Sequence, residues 1–426
     1  MICDVAHLAT TMIKHVITTL CVLLLSPALL SGSEAVSFGM PDMTLVKTSE
    51  KGGRKILRYE HDSIPEWGYA KPQQDYFNVL SLVGNPGQRP LHVVLHSAGG
   101  SADAALDRAF DHPDWFHFVG LKDHVILYLD CRKNDNDWWW GAHAIRKDKE
   151  KYADAYCPAE KRILTTIEWA IQTYKIDRNR VYLSGISMGG SGSLGIGMRR
   201  GDIFAAVNVM VPAGIEHIQH RMFGQHVPDP PILVNFSATN DKWSKGQETL
   251  IAYFDENRFP LVFAWGPHGH NSSTAGYHPS AQLFPWRSIR RNEAYPVFSS
   301  ASADNKYPVS KNATGGDESG QVGALFRWKT ITDTPGNFHI DLRLVNKAEL
   351  EPALKDDTDL PTTAHTAVSF RRLQRFKTEA GKSYPWSLSR EGKTLQSGTA
   401  KADESGLLAI EKLHLSVRSA RLKVQH

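Results

Sequence analysis

Arg180-Val-Tyr-Leu-Ser-Gly185-Ile-Ser187-Met-Gly189-Gly190-Ser-Gly-Ser-Leu-Gly195 is the stretch on which the reading of this chain turns. A short β-branched and aromatic run, Arg180–Leu183, leads into Gly-x-Ser-x-Gly, and Ser191–Arg199 beyond it can be helical. A strand, a sharp turn and a helix in that order expose a serine hydroxyl at a helix N-terminus, and flanking glycines let backbone pass close by. The same stretch contains Gly190-Ser-Gly192-Ser-Leu-Gly195, which matches a dinucleotide fingerprint. Those glycines start after the strand has ended, and no strand ending in Asp or Glu follows about 20 residues on. They read instead as small residues for close helix–sheet packing.

Serine is a weak nucleophile without a base, so an acid and a histidine should follow it, in that order, past later strands. Ile232–Phe236 is followed by Ser237-Ala-Thr-Asn-Asp241, and Leu261–Ala264 by Trp265-Gly-Pro-His268-Gly-His270. A carboxylate and two imidazoles therefore fall at the same sheet edge as Ser187. Around them the chain alternates. Strand-like runs occur at Tyr76–Val83, Leu91–Leu95, His124–Leu129 and Ala205–Val211, and helical periodicity at Glu160–Tyr174 and Ser244–Asn257. Such alternation predicts a mainly parallel sheet with helices on both faces, and ligands beyond the carboxyl ends of its strands.

Ser299–Gly320 is rich in Ser, Asn, Gly and Asp, and short alternating runs without helical period follow it from Leu325 to Val424. The expected organisation is a catalytic α/β domain over residues 34–298, a linker over 299–320, and a small all-β, sandwich-like domain over 321–426. Val16–Leu30 is the one long apolar run. Lys14 and His15 precede it and Ser31-Gly32-Ser33 follows, which predicts a secretory signal over residues 1–33, with Met12 as the expected start. The expected location is secreted or periplasmic, with no membrane association once that segment is removed. Cys3 and Cys21 leave with it, so Cys131 and Cys157 remain as a candidate disulfide.

The 426 residues are 41% hydrophobic and carry a net charge of +4, which suits a globular protein and not a nucleic-acid partner. No metal is expected. Glu216-His217-Ile-Gln-His220 lacks His-Glu-x-x-His and reads as a solvated helix face, and Asp135 and Asp137 lack the EF-hand glycine.

Asp177-Arg-Asn-Arg180-Val-Tyr-Leu-Ser-Gly-Ile-Ser187-Met-Gly-Gly, with Phe204-Ala-Ala-Val after it, resembles the nucleophile region of the α/β-hydrolase superfamily. The likeness is to secreted feruloyl esterases, acetyl xylan esterases and polyhydroxyalkanoate depolymerases, and it covers about residues 50–290. It implies an α/β-hydrolase fold and a serine carboxylic ester hydrolase without a cofactor. Ser187 would be the nucleophile, Asp241 the acid and His268 the base, with His270 the alternative base. The oxyanion donors would be the backbone N–H of Met188 and one from His96-Ser97-Ala98-Gly99-Gly100, for which Ala98 is chosen. Relatives usually have Gly directly after that His, where this chain has Ser97.

Too few residues separate Ala205–Val211 from Ile232 for a lid domain, so an open site and a polymeric or polymer-linked ester are expected. The insertion from Cys131 to Cys157 carries Trp138, Trp139 and Trp140, candidates for stacking on sugar rings or aromatic acyl groups. Two other classes compete. A prolyl-oligopeptidase-like peptidase would need a propeller that residues 34–54 are too short to form, and a non-catalytic carbohydrate-binding protein would not need the Ser, Asp and His set.

Overall fold

Runs of Val, Ile and Leu without alternation become the inner strands of one large sheet. β1 (Thr44–Lys51), β2 (Arg54–Asp62), β3 (Gln74–Ser81), β4 (Arg89–Leu95), β5 (Val125–Leu129), β6 (Ile176–Ile186), β7 (Ala206–Met210), β8 (Ile232–Ala238) and β9 (Leu261–Gly266) belong to it. β10 (Tyr295–Ser299) does not, whereas β11 (Gly320–Val322) closes its far edge. The sheet order is β1-β2-β3-β5-β4-β6-β7-β8-β9-β11. The run from β5 to β9 is parallel, and the strands outside it are antiparallel. β5, β7 and β8 are buried at every position, as expected of parallel strands covered on both faces. The structure is a computed structural model and describes residues 38–81, 88–112, 123–133, 138–141, 147–148, 153–223, 229–271, 273, 276–308, 319–351, 353–354 and 360–426. The expected signal segment and Asp135 and Asp137 lie outside the described residues.

Successive side chains of each strand point to opposite faces and build two cores. Val79, Val93, Leu127, Leu183, Val207 and Leu233 pack against α2 (Pro158–Thr173), α3 (Met188–Gly197) and α5 (Gln247–Glu256). Leu80, Val94, Ile126, Tyr182, Ala206 and Val234 face α1 (Ala102–Asp111) on the other side. Among the described residues, no helix is long and apolar enough to cross a membrane.

A buried cation ties the first core together. Arg221, on α4 (Ile215–Phe223), is fully buried; its Nε donates to the Gly195 carbonyl on α3 and its Nη1 to the Ala155 carbonyl, both at 2.9 Å. Its Nη2 pairs with the fully buried Glu160 of α2, whose carboxyl burial pushes upward in pKa. Arg221→Met leaves that acid without its partner, and a loss of about 3–5 kcal/mol in stability is expected. Urea titration of the single variant and of Arg221→Met/Glu160→Gln checks this. The double variant should recover part of the loss, and a neutral single variant would show that the pair contributes nothing.

The C-terminal part is a two-sheet sandwich. β10, β14 (Thr363–Arg371) and β17 (Ala409–Ser416) form one antiparallel sheet. The other runs β12 (Phe326–Asp333), β13 (Asn337–Leu344), β18 (Ala420–Gln425), β15 (Ser383–Arg390), β16 (Lys393–Lys401). Val368, Phe370 and Ile410 of the first sheet share a core with Phe338, Ile340, Leu422 and Tyr384 of the second. Strand pairing crosses the boundaries expected from composition. β10, from the expected catalytic domain, pairs with β14, and β11, from the junction of linker and β domain, pairs with β9.

Arginines of the sandwich reach the amino ends of the parallel strands. Arg372 donates to the carbonyls of Gly201, Phe204 and Ala205 ahead of β7, and Arg371 to those of Asn257 and Arg258 ahead of β9. The sandwich therefore sits behind the sheet, away from its carboxyl edge.

Cys131 and Cys157 correct the expectation of a disulfide: the two sulfurs are not bridged. Cys131 is buried just past β5, while the Cys157 sulfur caps α2, accepting from the Glu160 N–H at 3.3 Å.

Candidate active site

Ser187 stands directly between β6 and α3, with φ 56° and ψ −117°. That is a conformation side chains rarely adopt, and the surroundings hold it. Its N–H donates to the Met210 carbonyl at 3.0 Å, and its own carbonyl accepts from Ser191 at 2.9 Å and Ala213 at 3.1 Å. The turn is so tight that a methyl at Gly185 would overlap the Gly189 carbonyl, and one at Gly189 would overlap the Leu95 carbonyl at the end of β4. The sequence folds this way because only glycine fits at these two approaches.

Asp241 follows β8 and is buried, at 3% exposure. Its Oδ1 accepts from the Trp243 N–H at 2.8 Å, and its Oδ2 lies 2.7 Å from His270 Nδ1. His270 Nε2 lies 2.7 Å from Ser187 Oγ. The loops past β8 and β9 are tied together, with Thr239 N–H donating to Gly266 and Asn240 N–H to His268. Behind them the Tyr277 hydroxyl is raised well above its ordinary range, first by burial and then by the charge of Asp241.

The structure brings His270, and not the expected His268, to Ser187 and Asp241. His268 turns back into the protein, its ring 5.2 Å from that of Tyr277 and packed against Gly266 and Gly276. Its Nε2 is buried without a hydrogen-bond partner. The β9 strand ends at Gly266, so His268 is still held by the body of the sheet, and two residues further on His270 reaches the serine.

Met188 opens α3, which places its backbone N–H beside the serine at the helix N-terminus. Ala98 lies exposed in the loop after β4, and that loop is held from several sides. His96 Nδ1 donates to the Ser97 carbonyl at 2.8 Å, and His96 Nε2 accepts from the Cys131 N–H at 2.9 Å, which requires the neutral ring. The Gly100 N–H closes a turn to Ser97.

The three tryptophans separate. Trp139 and Trp140 are buried and are not substrate-facing, a correction to their expected role. They seat on the nucleophile helix: a methyl at Gly192 would lie 2.6 Å from Trp139 Cβ, and one at Gly195 2.8 Å from Trp140 Cγ. The indole N–H groups donate to the His96 carbonyl at 3.2 Å and to Ser191 Oγ at 2.9 Å. Two of the three fingerprint-like glycines, Gly192 and Gly195, thus make room for tryptophans. Trp138 alone stays half-buried, its ring 5.8 Å from that of Trp243, which in turn is 6.4 Å from His270. Sequence reading passed over Trp243; its position two residues past Asp241 was the available signal.

A mixed, mostly parallel sheet with a strained serine between strand and helix, an acid past β8 and a histidine past β9 has the architecture of an α/β hydrolase. The chain matches no protein-family model and no curated protein. Among solved structures it is similar to a substrate-bound, fluorophosphonate-binding serine hydrolase of Staphylococcus aureus, at 14% identity and a TM-score of 0.38 over 52% of this chain and 93% of that one. It is similar to an S-formylglutathione hydrolase of Agrobacterium tumefaciens at 14% identity and a TM-score of 0.40, covering 54% of this chain and 93% of the other. For a ferulic acid esterase of Anaeromyces mucronatus, in complex with ferulic acid, the figures are 14% and 0.33, over 57% and 88%.

Proposed function

We propose that this protein is an exported serine hydrolase that cleaves carboxylic esters, with acyl groups on polysaccharide (feruloyl or acetyl) or a polyester as its substrates. The observation that carries the reading is His270, hydrogen-bonded on one side to Ser187 Oγ and on the other to the buried Asp241. In the proposed reaction Ser187 Oγ attacks the ester carbonyl carbon as its proton passes to His270 Nε2. The N–H groups of Met188 and Ala98 stabilise the oxyanion. Collapse expels the alcohol, which takes the proton from His270, and water then hydrolyses the acyl-enzyme by the same steps in reverse order. Asp241 holds the imidazole in the tautomer that presents Nε2 as acceptor, and the neighbouring N–H of Trp243 holds Asp241. Export is supported by the apolar run Val16–Leu30 with its basic and small-residue flanks.

The test is a panel of acetyl, feruloyl, hydroxybutyrate and peptide substrates assayed with wild type and Ser187→Ala. Hydrolysis of one or more esters is expected, with Ser187→Ala reducing kcat by at least about 10⁴-fold. Equal activity of the two proteins, or cleavage of peptides alone, overturns the reading.

A further inference from the structure

The esterase reading leaves open which half of the ester the protein recognises. Trp243 and Trp138 bear on that question. Trp243 is an exposed large apolar side chain at 36% exposure, and it stands two residues past Asp241. Trp138 meets it at 65°, in a T-shaped arrangement. The backbone N–H of Trp243 donates to Asp241, while Trp138 is followed by two tryptophans seated on α3. The backbone at Trp138 and Trp139 has φ of 47° and 73°, and the chain turns sharply there, with the second and third rings buried and the first half-buried against the same core. The pair forms an aromatic corner beside His270.

Chemistry decides which part of a substrate that corner meets. His270 must hand its proton to the departing alkoxide, so the alcohol half of the ester lies against its ring when the bond breaks. Trp243 is the aromatic neighbour of His270 and therefore flanks the alcohol, not the acyl group. The exposure of the pair also matters. A planar acyl group binds best in a slot that removes both its faces from water, whereas a sugar ring offers one apolar C–H face and keeps its hydroxyls wet. A shallow indole surface suits the second. We propose that Trp243 and Trp138 form an alcohol-side subsite that takes the pyranose ring carrying the ester. The proposal rests on the esterase reading above and names the leaving group of that same site.

A leaving-group series tests it. Acetic and ferulic acid are each supplied as the methyl ester and as the ester on a xylo-oligosaccharide. Wild type, Trp243→Ala, Trp243→Phe and Trp138→Ala are compared by kcat/KM. With Trp243→Ala the loss on the sugar ester should exceed the loss on the methyl ester by about tenfold, and it should appear mainly in KM. Trp243→Phe should recover most of that ratio, which separates stacking from damage to the loop. In Ser187→Ala, an unesterified xylo-oligosaccharide should quench tryptophan fluorescence, and the Ser187→Ala/Trp243→Phe double variant should show a smaller quench. Equal losses on methyl and sugar esters overturn the proposal while the esterase reading stands. A loss that follows ferulate against acetate, whatever the alcohol, also overturns it by placing the acyl group at the corner. A wild type that turns over no ester overturns the esterase reading, and this inference with it.

Discussion

His270→Ala lowers kcat for ester hydrolysis by about 10⁴–10⁶-fold, and His268→Ala lowers it by no more than about tenfold; that contrast is the expected result. Only two residues separate these histidines, yet their surroundings differ in kind. His270 lies 2.7 Å from both Ser187 Oγ and Asp241 Oδ2, so its loss removes the group proposed to take and return the proton. His268 packs on Tyr277 between two glycines and touches neither partner. Its removal leaves a small void, and the expected cost is one of stability, about 1–3 kcal/mol. Steady-state kinetics and urea unfolding of both variants separate the two effects. Loss of catalysis in His268→Ala with activity kept in His270→Ala would restore the assignment that the resemblance alone suggested.

Gly189→Ala should lower kcat by about 10²–10³-fold and destabilise the fold, whereas Gly269→Ala should do little. At Gly189 the added methyl would overlap the Leu95 carbonyl at the end of β4, so α3 must move away from the loop that carries Ala98. Overpacking of this kind typically destabilises by about 1–3 kcal/mol. The larger consequence is catalytic. Separating the first turn of α3 from that loop pulls apart the two proposed oxyanion donors, and losing one such donor lowers kcat by about 10²–10³-fold. At Gly269, between the two histidines, nothing lies within 4 Å of an added methyl. Thermal melts and kcat for the two variants check the pair, and wild-type kinetics in Gly189→Ala would show that the close approach is not needed.

Much of the fold was legible because its inner strands are continuous apolar runs. Leu91–Leu95, Ala205–Val211 and Ile232–Phe236 fall on β4, β7 and β8. The β1–β2 hairpin was passed over because β1 buries almost nothing and has no apolar alternation, although Lys51-Gly52-Gly53-Arg54 carries the turn signal. Ser187 and Asp241 were legible because strand ends fix where their side chains emerge. The base was not. Which of two histidines past β9 reaches forward depends on how the loop packs against Gly276 and Tyr277, residues several positions later. The tryptophan run was ambiguous for a related reason. Its partners, Gly192 and Gly195, sit on another element, and no local pattern links the two. The same gap hid the absence of a bridge, since Cys157 is committed to a helix cap that only the start of α2 reveals.

The exchange of β10 and β11 between the two halves has a bearing on how such a chain can evolve. A cassette that is to be shuffled among proteins needs a seam where the chain passes once from one body to the next. Here it passes out to the sandwich at β10, returns to the main sheet at β11 and leaves again at β12. A cut before β10 strips the large sheet of its edge strand β11, and a cut after β11 strips the sandwich of its first. The sandwich is thus stitched into its host rather than appended, and no single cut releases either half with all of its strands.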